Sequence, residues 1–491
     1  MSRRWLFADQ LGPHFLDDRR QPALLIESKS VFRRRAFHRQ KAHLVLSAMR
    51  HRAAELGDQA RYLRTETYAD GLRQVSEPLD VCHPTSRRAL DFVQRQGRVT
   101  VLPARGFVTA MTDFADWADG TRRSTLRLDT FYRFARLRHE VLVEGTDPVG
   151  GRWSLDSQNR RPPPKKAGRV AVPNPPMPRE DDIDAEVRAD LDRWEREGIR
   201  FVGRDGPRRF PVTRREAQIR LRHFLRHRLS AFGPYEDAML STDASMAHSM
   251  LSSSFNLGLL DPMEAIRGAE KAYRADGAPL PSVEKFVRQL LGWRDFVWNL
   301  YWYFDAGWRD SNALAARRTV PQWWQEIDAD VVRAHCLSDV LDGVRSRGWV
   351  HHIPRLTVLG NYALQRGWRP DELVDWFHRS FVDGYEWVMT ANVAGMSHFA
   401  DLGRMSTKPY ASAGSHLDRM SDYCGGCPYD PKARLGENSC PFTAGYWSFL
   451  HRNKDRIRDN PRMARPLKQL AQLADVEAVA AQERQRGSDP P

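Results

Sequence analysis

Asp422-Tyr423-Cys424-Gly425-Gly426-Cys427-Pro428-Tyr429-Asp430 is the stretch on which the reading of this chain turns. Its two cysteines stand three positions apart, a third follows at Cys440, and a distant single partner is Cys336. A Cys-x2-Cys turn presents two sulfurs from one backbone loop, and folding must bring up the others. Four soft thiolates converging on one point suit an iron–sulfur cluster or a structural zinc, and the spacing fits both. The fifth cysteine, Cys82, follows Leu79-Asp80-Val81 and reads as a small buried side chain. Five cysteines in 491 residues argue against a disulfide framework, and Met1-Ser-Arg-Arg-Trp does not read as a secretory signal. A reducing cytoplasm is the expected setting.

Around this stretch the sequence reads as helical. From about Thr213 to residue 491, apolar residues recur every three or four positions and strands are hard to find, which predicts an all-α domain. Residues 1 to 148 differ. Trp5-Leu-Phe-Ala-Asp, Ala23-Leu-Leu-Ile-Glu and Val99-Thr-Val-Leu-Pro look like buried parallel strands, and Arg39 to Leu56 carries a helical apolar spacing. Strand–helix–strand order predicts a doubly wound α/β domain with its ligand site beyond the carboxyl ends of the strands, where Asp9, Gln10 and Glu27 fall. No Gly-x-Gly-x-x-Gly or Walker loop supports a dinucleotide or NTP site there. Between the halves, residues 149–212 hold Pro162-Pro-Pro and Val172-Pro-Asn-Pro-Pro-Met-Pro, which predicts an extended connector.

Lys plus Arg outnumber Asp plus Glu by 76 to 62, a formal charge of +14. Such a surplus is compatible with a polyanion such as DNA. The clusters Arg33-Arg34-Arg35, Arg160-Arg161, Lys165-Lys166 and Arg208-Arg209 read first as solvated faces. No apolar run reaches the roughly 20 residues of a membrane span, so no membrane partner is expected. Ten of the fifteen tryptophans fall between Trp293 and Trp387. They form an aromatic core or, more sharply, a path along which an electron passes between a buried cofactor and solvent; composition does not separate the two.

Nine further segments, in order, carry a resemblance: Phe7-Ala-Asp-Gln-Leu-Gly; Gly150-Gly-Arg-Trp-Ser-Leu-Asp; Phe232-Gly-Pro-Tyr-Glu-Asp-Ala-Met; Leu251-Ser-Ser-Ser-Phe-Asn-Leu-Gly-Leu-Leu; Leu291-Gly-Trp-Arg-Asp-Phe; His351-His-Ile-Pro-Arg-Leu; Asp383-Gly-Tyr-Glu-Trp-Val; Asn392-Val-Ala-Gly-Met; and Thr407-Lys-Pro-Tyr. With the cysteines they resemble the iron–sulfur bacterial branch of the photolyase/cryptochrome family, the prokaryotic (6-4) photolyases and their cryptochrome relatives.

This resemblance implies a [4Fe–4S] cluster on Cys336, Cys424, Cys427 and Cys440, and FAD bound in a U shape inside the helical half. On the matching positions, Tyr235, Leu251, Ser252, Ser253 and Asn256 approach the pyrophosphate and ribityl chain. Arg355 and Asp383 form a pair at the flavin edge, and Arg294 and Asn392 belong to the same set. The N-terminal domain resembles an antenna domain, which in this branch binds 6,7-dimethyl-8-ribityllumazine, placing Asp9, Gln10 and Glu27 beside that chromophore. The implied reaction is light-driven. Excited reduced FAD passes an electron to a pyrimidine–pyrimidone (6-4) photoproduct flipped out of UV-damaged DNA, and the electron later returns. His352 matches the lesion-facing proton donor, a role for which an imidazole near its ordinary value of about 6.5 is suited. His351, Trp376, Met389 and Tyr410 complete the catalytic set, with Trp376 the candidate electron relay near the flavin.

Three positions depart from repairing relatives: Met389 replaces a glutamate near the flavin, His416 a tyrosine near the lesion, and Phe377 a tyrosine beside Trp376. They favour a second reading, a cryptochrome-like blue-light photoreceptor with the same cofactors and little repair. A third, a zinc-stabilised DNA-binding protein without flavin, needs none of the photochemistry. The expected protein is a cytoplasmic monomer that associates with the nucleoid through DNA.

Overall fold

Trp5 and Leu6 on β1 (Arg3–Leu6) are adjacent and point to opposite faces, and both are fully buried. Strands covered on both faces belong to parallel sheets flanked by helices. β1 is the centre of such a sheet, with β2 (Ala23–Ser28), β3 (Ala60–Thr65), β4 (Leu79–Cys82) and β5 (Val99–Leu102) in the order β3-β2-β1-β4-β5. All neighbours pair in parallel, with Trp5 opposite Leu24, Ile26 opposite Leu63 and Val81 opposite Val101. The doubly wound expectation holds. The computed structural model describes residues 2–121 and 126–491.

The helical half follows, and within the described residues it holds no strand beyond isolated bridges. Three of its segments, Arg288–Arg294, Pro354–Gly360 and Thr390–Ser397, are π-helical. Such wide turns cost regular hydrogen bonding and are found most often where a side chain must be re-aimed toward a site. Arg294, Arg355 and Asn392 all lie on them.

The connector differs from the extended link expected. Its prolines do break regular structure, but Asp182–Arg196 is a helix, capped by a reciprocal pair between Asp181 and Asp184. Val187, Leu191 and Trp194 form its apolar stripe and pack on Leu46, Ala42 and Phe32 of the N-terminal half. Nor is Arg208 a solvated charge. It is buried, 3.0 Å from Asp184 and 2.8 Å from Glu216, because the inward-facing Asp184 needs a counter-ion.

One hydrophobic core runs from the sheet into the helices without interruption. Phe114 and Phe131 of the N-terminal half and Phe296 of the helical half pack with ring centroids 5.2–6.2 Å apart. Lys41, on the helix Arg39–Leu56, crosses the seam and donates to the carbonyls of His378 (2.6 Å) and Gly384. Cys82 is buried, as expected of a small core side chain. Among the described residues no helix is long and apolar enough to cross a membrane.

Candidate active site and metal centre

Asp383 organises the first site. Its carboxylate takes both guanidinium arms of Arg355, at 2.8 and 3.0 Å, and the Ser252 hydroxyl at 2.5 Å. Asn256 Nδ2 donates to the Asp383 carbonyl at 3.0 Å. Ser252 and Asn256 are thus tied to Asp383, which lies more than a hundred residues further along the chain. Ser253 and Ser254 carry buried hydroxyls with no partner. Buried orphan donors are rare enough in a folded chain to mark a place where a polar ligand completes the bonding. Asn392 Nδ2 is held by the Val388 carbonyl, and Tyr235 is half-buried at the end of the helix Leu229–Tyr235.

Arg294, expected as a cofactor contact, is engaged by protein groups. It lies 4.2 Å from the Phe107 ring and 5.3 Å from that of Trp387, and donates to the carbonyls of Gly106 and Phe255. Its enclosure by aromatic rings pushes its pKa down to about 10. It supports the Leu251–Asn256 segment from behind.

His351 and His352 part company where the helix begins, His351 preceding it and His352 opening it. His351 is buried, whereas the His352 side chain keeps 47% of its surface. Desolvation by the protein packed around the ring pushes the imidazole well below its ordinary value. A third imidazole, His248, went unnoticed in the sequence: it stacks on His351 at 4.2 Å and meets His352 edge-on at 5.4 Å. Tyr410 is half-buried, and burial raises its hydroxyl pKa.

The four cysteines line one cavity with Leu417, Tyr423, Tyr429 and Phe442. Cys336 lies in the first turn of His335–Arg347, and Cys440 immediately precedes Pro441–Ile457. Helix N-termini favour the thiolate a metal needs. Without a cation, burial and the other thiols push Cys336 well up, and burial takes Cys424 to about 12. The backbone leaves no spare room: a methyl group at Gly414 would stand 2.6 Å from Cys440 Sγ. Gly414 opens the short helix Gly414–Met420, which also carries His416, hydrogen-bonded to Arg419 at 3.0 Å.

The tryptophans form two groups. Trp298, Trp302 and Trp387 cluster with Phe107 at the seam. The other runs from the site to the surface: Arg355 lies over Phe381 at 4.2 Å, Phe381 is 5.9 Å from Trp376, Trp376 is 5.2 Å from Trp324, and Trp324 is 5.6 Å from half-buried Trp323. Phe377 meets Trp376 at 5.0 Å, and Met389 is buried in the same core.

At the strand ends, two of the three expected chromophore contacts have protein partners. Glu27 is buried against Arg50 at 3.0 Å and accepts from the Tyr62 hydroxyl at 2.6 Å, because a carboxylate in that position needs a cation. Gln10 is buried and ties β1 to the Cys82 carbonyl at 3.0 Å. Asp9 is different. Its Oδ2 accepts from Thr85, its Oδ1 has no partner, and burial pushes its carboxyl up to about 6. Since that lies above the value of about 3.9 in an unfolded chain, ionising Asp9 erodes stability as pH rises from about 4 to 6, fully so above 6. Asp9→Asn is therefore expected to raise the melting temperature above pH 6, with the gain vanishing toward pH 4; melting curves across that range check it.

Comparison with known proteins agrees with this architecture. Residues 4–199 match the family described as deoxyribodipyrimidine photo-lyase-related protein. A (6-4) photolyase of Agrobacterium fabrum is 35% identical over 96% of this chain and 95% of its own length. Two solved structures share the fold at low identity. A bacterial class III photolyase from Agrobacterium tumefaciens has TM-score 0.52 and 14% identity, covering 80% of this chain and 78% of that one. A Synechocystis cryptochrome has TM-score 0.53 and 13% identity, covering 80% and 82%. Sheet order, helical half and near full-length sequence identity agree: the chain belongs to the photolyase/cryptochrome family, among its photolyase-related members.

Proposed function

We propose that the protein is a light-driven (6-4) photolyase that binds UV-damaged DNA over the surface at His352. The observation that carries this reading is the position of His352: one imidazole of three reaches the surface, at the start of the segment whose Arg355 pairs with Asp383. A flipped-out base needs a pocket with a proton donor at its wall. The residues around Asp383 suit FAD, which when bound supplies the light-absorbing electron donor. Arg355 and Asp383 would fix its edge, Ser252, Ser253 and Asn256 its polar chain, and Trp376, Trp324 and Trp323 offer a route for electrons from the surface. His352 gives a proton to the lesion and takes it back. The unpartnered Oδ1 of Asp9, beyond the end of β1, is where we place a lumazine antenna.

For the cysteines we favour a [4Fe–4S] cluster over zinc. A single zinc draws four thiolate sulfurs to within about 3.8 Å of one another. The groups of three or more candidate ligand atoms within 4.8 Å of one another, among the described residues, do not include the cysteines. Their wider setting suits a polynuclear centre.

Illumination of the reduced protein with an oligonucleotide bearing one defined (6-4) lesion tests the proposal. Loss of the lesion is expected, and His352→Ala should reduce its rate by about 10²-fold or more. An intact lesion in the presence of bound flavin would instead support the photoreceptor reading, which the apolar burial of Met389 favours.

A further inference from the structure

A proton donor must hold a proton before the lesion arrives, and most of what surrounds His352 works against that. Burial, then His248, Lys285 and Arg355, disfavour its charged form. His351 adds a further imidazole, 6.3 Å away. The His248–His351 rings are stacked at an interplanar angle of 24°, so their in-plane lone pairs run side by side and the trio is poorly arranged to share one metal ion.

Against these stands one buried anion. Glu236 Oε1 lies 3.5 Å from His352 Nε2, and Asp237 offers an oxygen within 4.8 Å. Glu236 is fully enclosed. It accepts from Gln289 Nε2 at 2.6 Å and stands 2.6 Å from Lys285 Nζ. Lys285 also pairs with Asp156 at 2.6 Å, and Asp156 takes Arg288 and Arg160 as well. Gln289 and Lys285 thus fix the carboxylate at both oxygens, and Oε1, which accepts from Gln289, is also the oxygen nearest the His352 ring. Glu236 belongs to the Phe232–Met239 motif, yet it is neither a cofactor contact nor a core residue of ordinary kind.

We propose that Glu236 is the positioning residue that keeps His352 in its proton-bearing form and turns its Nδ1 toward the bound lesion, while Lys285 sets how strongly Glu236 does so. This rests on the reading of the protein as a (6-4) photolyase. With Nε2–H against Glu236, Nδ1 is the nitrogen left for the lesion. The Nδ1–H bond breaks as its proton passes to the lesion and re-forms when the repaired bases release it. The Nε2 proton stays on the ring throughout, and Glu236 neither gains nor loses one. This is the logic of a buried carboxylate behind a catalytic imidazole.

The test uses opposite signs. Repair rate against pH is measured for the full-length holoprotein, for Glu236→Gln and for Lys285→Gln, alongside titration of the His352 imidazole by NMR of ¹³Cε1-histidine protein, assigned with His352→Ala. Removing the anion should shift both the rate profile and the titration to lower pH by about one unit, a tenfold loss of repair on the alkaline side. Removing the lysine should shift both to higher pH. A purely structural role would not produce opposite shifts. Coincident profiles, or shifts of one sign in both variants, would overturn the proposal. Should Glu236→Gln fail to fold, the sign of the Lys285→Gln shift decides. If the parent protein leaves the lesion intact, the photolyase reading has failed, and the NMR titration still settles whether Glu236 governs His352.

Discussion

Cys336→Ala is expected to yield protein without iron or acid-labile sulfide, and with a loosened segment from Cys424 to Cys440. Between Cys427 and Cys440 the chain has no helix or strand, and few backbone hydrogen bonds tie it to the rest. Contacts from Arg434, Gly436 and Ser439 to Asp475, Gln482 and Arg486 hold one end of this loop, and a ligand joining Cys424 and Cys427 to the helix starts at Cys336 and Cys440 would order the rest. The loss also reaches the core, because Cys336 and Cys440 both pack within the cluster that holds Trp324, Trp376 and Phe442. Proteolysis should cut between 427 and 440 in the variant and leave the parent intact. Iron retained at the parent level in Cys336→Ala would remove this cysteine from the ligand set.

Asp383→Ala should cost nearly as much. Arg355 would be left half-enclosed without its counter-ion, and Ser252 without its acceptor. Breaking a buried pair from one side typically costs about 3–5 kcal/mol, most of it from the charge left behind. The segment Leu251–Asn256 would lose its anchor, so flavin content should fall together with the melting temperature. Asp383→Asn keeps an acceptor for Ser252 and should fall between the two. Absorbance of the purified protein near 450 nm, set against its protein absorbance, measures the first effect; thermal melting measures the second.

Much of this was legible in the sequence, for reasons of chemistry. Four thiols that must meet are visible however far apart they lie, and the structure lines one cavity with Cys336, Cys424, Cys427 and Cys440. The sheet was legible because Trp5-Leu-Phe and Ala23-Leu-Leu-Ile are apolar on both faces. The helix Asp182–Arg196 was not, since three apolar residues in an acidic run make a weak stripe and the prolines before it suggest a linker. The partners of Glu27 and Arg294 were not legible for a different reason. Position at a strand end or in a motif tells where the backbone goes, but the partners that engaged these two, Arg50 and the Phe107 ring, are set by tertiary packing. His248 and Glu236 were missed on the same ground, as each meets His352 from a separate stretch of chain.

The wide turns at Arg288–Arg294, Pro354–Gly360 and Thr390–Ser397 carry a last consequence. Each holds one residue more than an α turn of the same rise. Deleting one position would let the window close to regular α-helix, with the flanking turns kept in register and the side chains inside it, Arg294, Arg355 or Asn392 among them, turned to new directions. A gap in any of these three windows in a related sequence therefore signals a differently shaped binding pocket, even where every flanking side chain is identical.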